Sequence, residues 1–268
     1  MSTGKKSKKA MENKNTVDEK TLKYKIEAMR EGGKILGNLL RDLKNYVKPG
    51  MTGKEIDAWV RSEIVRRGAK VAYDMLDEEF PGAICISIND ELVHGAPTDE
   101  PLEEGDKVSF DLDIYYKGYF TDSAFTMLVG EKGSPAVKKM ISVTESALWE
   151  GIEQVKPGAT IGDIGSAVEK VLRKGHLGVI ENYIGHGIGR KMHSAPEVPN
   201  YGKKGHGYKL VEGDTICIEP MSSLGKPANY VDKSDNWTVK MKDGSIGCHF
   251  EHTVLVTNDG YEVLTLPD

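Results

Sequence analysis

The sequence predicts one α+β domain made of two similar halves, and an internal duplication is the main observation behind that prediction. The segment from Val47 to Thr52 recurs from Val155 to Thr160, and the Glu-Gly-Asp triplet at Glu104 recurs at Glu212. Both repeats have the same spacing along the chain. Since helical patterns and then a strand belong to each copy, we expect a shared sheet with an internal pseudo-twofold axis and helices on its outside.

The helices are predicted from hydrophobic spacing and from capping residues. Thr52 and Thr160 can each cap a helix, because Glu55 and Asp163 stand three residues later as reciprocal capping partners. Before the first repeat signature, apolar residues recur at helical intervals: Met29, Ile35, Leu36, Leu39, Leu40 and Leu43. Each half is therefore expected to supply a pair of helices.

The strand that follows in each half carries an acid within an apolar run. The first reads Lys-Val-Ser-Phe-Asp up to Asp111, and the second reads Thr-Ile-Cys-Ile-Glu up to Glu219. A buried ionised carboxylate without a partner is costly, so such acids pair, become protonated or bind a metal ion. The duplication predicts that Asp111 and Glu219 meet at the shared sheet.

A predicted hairpin brings more acids to the same place. Residues 108 to 129 alternate around a Lys-Gly turn, and counting from that turn places Asp113 opposite Asp122, with Asp111 on the same face. A divalent cation would relieve the repulsion between them. The alternative is an exposed acidic strand face, although the apolar and aromatic neighbours argue against full exposure.

Further candidate ligands lie in the second half. His186 stands in a glycine-dense turn, His193 follows seven residues later, and Glu251 opens an apolar strand. A lone histidine is more often structural, and the turn lacks the Lys-Ser/Thr and dinucleotide spacing of a nucleotide site. Four carboxylates and one imidazole suit two ions of Co, Mn or Fe, and the motifs indicate no cysteine ligand.

These residues stand in the order and at the spacing of a known family. The segments that carry the match are Ser87-Ile88-Asn89-Asp90, His94-Gly95, Asp111, Thr121-Asp122, Gly185-His186-Gly187-Ile188-Gly189, His193, Ile218-Glu219-Pro220-Met221 and Glu251-His252-Thr253. From about Lys25 to the C-terminus, the chain resembles the type I methionine aminopeptidases. The resemblance implies the pita-bread fold, a curved antiparallel sheet with two helix pairs. It also implies removal of the initiator methionine from nascent proteins, with a preference for small second residues.

The resemblance also implies roles for individual residues. Two divalent ions would be held by Asp111, Asp122, His186, Glu219 and Glu251, with Asp122 and Glu251 bridging both and Asp113 orienting a ligand. The ions would activate water, and Glu219 would help carry its proton to the leaving amine. His193 would contact the scissile amide, and His94 would lie near the residue after methionine; without the resemblance, a loop histidine satisfied by backbone would be the simpler interpretation.

A methionine pocket is implied at Phe80, Cys85 and Trp237, each of which could instead belong to the core. The chain departs from the family between Tyr73 and Glu79, where relatives often carry Gly-Tyr and this sequence is acidic. The lining of the pocket and its side-chain preference are therefore open, whereas the hydrolytic residues lie outside this segment.

Composition and charge set the remaining expectations. The net charge is −5, yet the segment up to Lys25 is lysine-rich, so residues 1–22 are predicted to be a disordered leader and residues 23–268 a single catalytic domain. A basic tail could touch RNA, but no specific nucleic acid is expected. The three cysteines form no disulfide or zinc pattern, and no stretch is apolar enough for a membrane or a signal. A cytoplasmic monomer acting on nascent polypeptides is expected, with transient ribosome association as a further idea that the sequence does not directly support.

Two other functions are compatible with parts of the sequence. A proline-directed peptidase of the same fold, such as an aminopeptidase P or prolidase relative, usually has an extra N-terminal domain, and only about 25 residues precede the first repeat here. A non-catalytic binding protein that lost its metals is the other alternative. It is disfavoured because all five ligand positions and both histidines are present.

Overall fold

The computed structural model describes residues 4–76 and 79–268, with side chains from residue 19 onward. This part of the chain contains four α-helices, α1 (Gly4–Tyr46), α2 (Gly53–Arg66), α3 (Pro135–Ile152) and α4 (Ile161–Lys174), and one short 3₁₀ turn, Tyr73–Met75. The helix pair of each half was predicted, and the first and last residues of α2 and α4 are related by the spacing of the sequence repeat.

The strands of the described residues are mostly short, and two long ones form a hairpin. They are β1 (Lys70–Val71), β2 (Cys85–Ile88), β3 (Glu91–Val93), β4 (Lys107–Tyr116), β5 (Tyr119–Leu128), β6 (Gly178–Val179), β7 (Gly185–Gly187), β8 (Ser194–Val198), β9 (Thr215–Ile218), β10 (Met221–Ser223), β11 (Asn229–Val231), β12 (Val239–Met241), β13 (Gly247–His249), β14 (Glu251–Val256) and β15 (Tyr261–Val263).

One nine-stranded antiparallel sheet forms the centre of the fold. Its order is β1-β4-β5-β14-β9-β7-β8, with β2 also paired to β4 and β15 also paired to β14. Two three-stranded sheets, β13-β10-β6 and β11-β12-β3, accompany it. The paired strands of the two halves, β4-β5 and β9-β14, therefore lie side by side and meet at the β5-β14 pair.

The predicted duplication is present in the backbone hydrogen bonds. Gly50 N–H donates to the Leu102 carbonyl at 2.7 Å, and Gly158 N–H donates to the Leu210 carbonyl at 2.8 Å. Thr52 pairs with Pro101 in an isolated bridge just as Thr160 pairs with Lys209. Since each of these contacts recurs at the spacing of the sequence repeat, the two halves share one local structure.

The two halves also have separate hydrophobic cores. One core packs α1 and α2 against β2 and β4 and includes Leu36, Ile56 and Phe110. The other packs α3 and α4 against β9 and β14 and includes Leu148, Ile164 and Ile218. The helix pairs thus cover one face of the sheet. A third apolar cluster includes Met29 of α1 together with Cys217 and Leu255, strand residues that alternate with those of the second core.

Capping differs slightly between the halves. Glu55 N–H donates to the Thr52 hydroxyl and Thr52 N–H donates to the Glu55 carboxylate, which completes the predicted capping box of α2. At α4, Thr160 N–H donates to the Asp163 carboxylate, and the Thr160 hydroxyl donates to the same oxygen.

Some predictions fall at the edge of what the structure describes. The backbone of residues 4–18 belongs to α1, so the proposed division between residues 22 and 23 falls inside a helix; the disordered leader stays a prediction, and residues 1–3 lie outside the described residues. Asp77 and Glu78 of the acidic segment also lie outside them. Across the described residues, no helix combines the length and hydrophobicity that a membrane span requires.

Candidate metal centre

The β4-β5 hairpin brings three acids together on one face of the sheet. Asp113 stands opposite Asp122 in the register, and Asp111 stands opposite Ala124. The strand register that was counted from the Lys-Gly turn in the sequence is therefore confirmed. One carboxylate oxygen from each of Asp111, Asp113 and Asp122 lies within 4.8 Å of the others.

The second half delivers the remaining predicted ligands to the same place. His186 lies on β7, Glu219 directly follows β9, and Glu251 is the first residue of β14. His186 Nε2 is 3.5 Å from Glu219 Oε1 and 3.8 Å from Asp122 Oδ2. Its Nδ1 is 3.1 Å from the Gly187 carbonyl, which fixes the ring with Nε2 toward the acids.

These acids are buried, and burial is costly for their charged forms. Glu219 is 8% exposed, Asp122 4% and Glu251 2%. Burial, followed by the charges of neighbouring acids, raises the pKa of Asp111, Asp122, Glu219 and Glu251 well above the usual range of a carboxyl group. Without a cation, the cluster can stay ionised only at a large free-energy cost.

The donor set fits divalent ions. Buried oxygens of Asp111, Asp122 and Glu251 have no hydrogen-bonding partner among the described residues. Burial, followed by the charge of His193, lowers the pKa of His186 to about 4, so its imidazole is neutral at pH 7 and can offer a lone pair. Carboxylate oxygens with a neutral imidazole are ligands for Mn, Fe and Co. All five predicted ligands converge on this site.

Two side chains that the sequence analysis did not assign also face the centre. His249 Nε2 is 3.7 Å from Glu219 Oε2 and 3.8 Å from Glu251 Oε2. Cys217 has its thiol within 4.8 Å of donors from Asp122, His186 and Glu251, although the motifs had indicated no cysteine nearby. Strand alternation could have found both, because each stands two residues before a predicted ligand and so shares its face.

The two predicted catalytic histidines stand beside the acids. The ring centroids of His186 and His193 are 4.4 Å apart, and His193 is exposed. The ring of His94 packs edge-on against Tyr183 at 5.8 Å. Burial, followed by the charge of His193, lowers the pKa of His94 to about 4. His94 and His193 thus share one side of the centre.

The backbone around His94 is held by a buried lysine. Lys107 Nζ donates to the carbonyls of Ser87 and Glu91, at 3.0 and 2.9 Å. His94 itself has a positive φ of 58°. Lys107 therefore links β2 to β3, the strand that His94 directly follows.

The predicted pocket residues Trp237, Phe80 and Cys85 are linked through Tyr73 in a row of contacting side chains. This row ends beside Asp111 of the candidate metal centre. Trp237 packs edge-on against Phe80 at 5.4 Å, and Phe80 packs against Tyr73 at 4.5 Å. The Tyr73 hydroxyl is 3.4 Å from the Cys85 thiol, and Cys85 pairs with Asp111 across β2 and β4. Tyr73 was not assigned to the pocket, because only the folded chain brings it between Phe80 and Cys85.

The described acids of the segment between Tyr73 and Glu79 are directed to the surface. Asp74 forms a 2.8 Å ion pair with Arg61 on α2, and Glu79 is exposed. The charge of Asp74 is therefore directed to the surface and to a helix.

Comparison with known proteins identifies the family of this chain. Residues 27–258 match the model of metallopeptidase family M24. The chain belongs to metallopeptidase family M24. It is 43% identical over 250 residues to a methionine aminopeptidase of Aquifex aeolicus, and the match covers 90% of this chain and 95% of that relative. The crystal structure of methionine aminopeptidase from Rickettsia prowazekii is similar, with a TM-score of 0.85, 38% identity and coverage of 89% of this chain and 95% of that chain.

Membership of this family confirms the main sequence predictions. The fold is the pita-bread fold of M24 aminopeptidases, and the chain is a metal-dependent hydrolase of the methionine aminopeptidase group. A prolidase from Pyrococcus furiosus shares the fold, with a TM-score of 0.72, 24% identity and coverage of only 65% of that chain. The proline-directed alternative is thus less well supported than methionine removal.

Proposed function

We propose that this chain removes the initiator methionine from newly made proteins by hydrolysis at a two-ion centre. The observation that carries the proposal is the convergence of five donors from separate strands: Asp111, Asp122, His186, Glu219 and Glu251. They come together in a chain that is similar over 90% of its length to a methionine aminopeptidase.

The ions of the proposal are Co, Mn or Fe, and their contribution is to make a water molecule nucleophilic at neutral pH. Asp122 and Glu251 are the candidates for bridging ligands. They lie on adjacent strands, β5 and β14, at the junction of the two halves. Each could therefore share an ion with ligands from either half.

The chain's own groups then have distinct tasks. Glu219 stands 3.5 Å from His186 and can take up a proton and pass it toward the leaving amine. We assign His193 to donate a hydrogen bond to the scissile amide, and its exposure and its position beside His186 support this role. His94 lies on the same side of the centre and is assigned to the residue after methionine.

The methionine side chain is assigned to the pocket of Phe80, Cys85, Trp237 and Tyr73. The polarizable sulfur of methionine makes favourable contacts with aromatic rings, and the rings of Tyr73, Phe80 and Trp237 pack against one another here. The buried thiol of Cys85 closes the inner end. A small second residue fits the proposal, because the ring of Tyr183 packs against that of His94 and limits the space beside it.

A peptide panel tests the proposal directly. Metal-free protein is loaded with Co, Mn or Fe and assayed on peptides that begin Met-Ala, Met-Gly, Met-Leu, Leu-Ala and Ala-Pro. Cleavage of Met-Ala and Met-Gly, with little cleavage of the others, is expected. A preference for Ala-Pro would instead identify a proline-directed peptidase, and no cleavage with any ion would contradict the proposed activity.

In the cell, the proposal places the chain in the cytoplasm, where N-termini of nascent polypeptides emerge. Light scattering should give a mass near the 29.5 kDa of a monomer. Sedimentation with ribosomes, compared between the full chain and a variant lacking residues 1–22, tests whether the basic leader contributes to ribosome association. Equal sedimentation of both proteins would remove the leader from that role.

A further inference from the structure

The side chain of His249 faces the carboxylates of the proposed metal centre. Its side chain is 1% exposed, and neither ring nitrogen has a hydrogen-bonding partner in the described part of the chain. A buried polar group that lacks a partner costs about 1–3 kcal/mol. The nearest polar atoms are carboxylate oxygens of Glu219 and Glu251, at 3.7 and 3.8 Å, which is too far for a hydrogen bond.

The internal duplication gives His249 a counterpart. In the first half, Asp113 stands opposite Asp122 in the strand register. The repeat that relates Asp111 to Glu219 also relates Asp113 to Met221, and Met221 stands opposite His249. His249 therefore occupies in the second half the position that Asp122 occupies in the first.

Other pairs show that this correspondence is a property of the fold. Asp111 stands opposite Ala124, and its repeat, Glu219, extends the β9 register to a position opposite Glu251. The bond from Gly105 N–H to the Val129 carbonyl recurs from Gly213 N–H to Val256. Ala124 thus corresponds to Glu251 and Val129 to Val256, and the same displacement along the chain carries Asp122 onto His249.

The distances fit a shared ion. Glu219, His249 and Glu251 each offer one donor atom, all within 4.8 Å of one another. Two sides of the triangle of donors measure 3.7 and 3.8 Å, both from His249 Nε2. The point equidistant from three such corners lies about 2.0–2.4 Å from each, close to the bond lengths of divalent ions with imidazole nitrogen and carboxylate oxygen.

We propose that His249 is a sixth ligand of the metal centre and binds, through Nε2, the ion on the side of Glu219 and Glu251. The inference rests on the proposed two-ion centre but adds a residue outside the five that the family resemblance implies. A second imidazole raises the nitrogen content of the site, so this side of the centre favours Co and Fe over Mn.

The test counts bound imidazoles in full-length protein reconstituted with Co²⁺. A histidine bound to paramagnetic Co²⁺ gives a strongly shifted, exchangeable ring N–H signal in the proton NMR spectrum. Two such signals are expected, one each from His186 and His249. The His249→Gln variant should lose one signal. The visible absorption spectrum of its bound Co²⁺ should also differ from that of the unmodified protein at the same ratio of Co²⁺ to protein.

Affinity provides a second measurement. Loss of a partner that only orients a ligand already lowers metal affinity about 10- to 100-fold, so loss of a direct ligand should weaken one Co²⁺ site at least to that extent. The same substitution should weaken Mn²⁺ binding less. Calorimetric titration of metal-free protein with each ion gives both dissociation constants.

His252→Gln is the matched control. His252 is also largely buried and lies on β14 next to Glu251, but its Nδ1 is 2.8 Å from the Thr265 hydroxyl and 3.2 Å from that of Ser123. Both ring N–H signals and both Co²⁺ sites should persist in this variant. Circular dichroism and thermal unfolding of the metal-free proteins check that each variant is folded.

The outcomes separate this inference from the proposed function. A single imidazole signal in the unmodified chain, or two signals that survive in His249→Gln, would overturn the role of His249 as a ligand. Weaker binding with unchanged NMR and visible spectra would also overturn it, since His249 would then only orient a carboxylate. Cleavage of Met-Ala peptides by the unmodified chain is independent of all these results.

Discussion

Replacing Asp122 with Asn should stabilise the metal-free protein while it removes metal binding. Oxygens of Asp111 and Asp113 lie within 4.8 Å of an oxygen of Asp122. Two ionised carboxylates at that separation repel each other by about 3 kcal/mol at an effective dielectric constant of about 20. Because protonation relieves part of this repulsion, we expect a gain of about 1–3 kcal/mol in the free energy of unfolding for the nearly isosteric Asn.

The effect should depend on pH in a defined direction. Burial and neighbouring acids raise the pKa of Asp122, Glu219 and Glu251 in the folded state. Because their pKa is higher in the folded state, these acids bind protons more tightly in the folded than in the unfolded protein, which stabilises the fold. This contribution is complete below about pH 4 and is lost as the pH rises through the pKa values of the folded state. Metal-free protein should therefore lose stability from pH 5 to pH 8, and the advantage of Asp122→Asn should grow.

Urea unfolding in the presence of a chelator measures this at pH 5 and pH 8. Asp99→Asn is a suitable control, because Asp99 is exposed and its ion pair with Lys54 lies at the surface, where its loss should change stability by about 1 kcal/mol or less. Added Co²⁺ should stabilise the unmodified protein and not Asp122→Asn. If metal-free Asp122→Asn is less stable than the unmodified protein at pH 8, repulsion does not dominate this cluster; a fully active variant would contradict the assigned ligand set.

Three further substitutions test separate parts of the structure. His193→Ala should keep its metal content while kcat on a Met-Ala peptide falls about 100-fold, as for other lost transition-state donors; unchanged turnover would exclude His193 from the mechanism. Trp237→Ala opens the space beside Phe80 and should raise KM for Met-Ala, which steady-state kinetics can measure, and an unchanged KM would place the indole outside the pocket. Thr52→Ala should lower the free energy of unfolding by about 1 kcal/mol, whereas Thr52→Ser keeps the cap; thermal unfolding that does not separate the two variants would argue against the capping box.

The sequence predicted the fold and the convergence of the acids because both follow from local periodicity. A two-residue alternation along the hairpin is enough to set Asp113 opposite Asp122, and the repeat is enough to relate Asp111 to Glu219. Helix ends were also predictable, since Thr52 and Thr160 carry their partners within the same turn.

Side chains that depend on long-range contacts were missed. Tyr73 contacts Phe80 and Cys85 of the proposed pocket, and nothing in its own segment of the sequence indicates these contacts. His249 differs, because its place two residues before Glu251 was a usable signal. The motif that carries the resemblance begins at Glu251 and so does not include His249.

The proposed metal ligands and the proposed pocket differ in how far the internal duplication relates their residues. Among the proposed metal ligands, Asp111 and Glu219 are related by the duplication, and β4 and β9 keep the spacing of the sequence repeat. After β10 the spacing between corresponding residues becomes larger, because the second half replaces the short Lys117-Gly118 turn with a longer excursion through β11 and β12. Trp237 lies in that excursion, between β11 and β12, and packs on Phe80 of the other half. If Trp237 lines the proposed pocket, a change in this excursion can alter substrate preference while β4, β5, β9 and β14 keep their register.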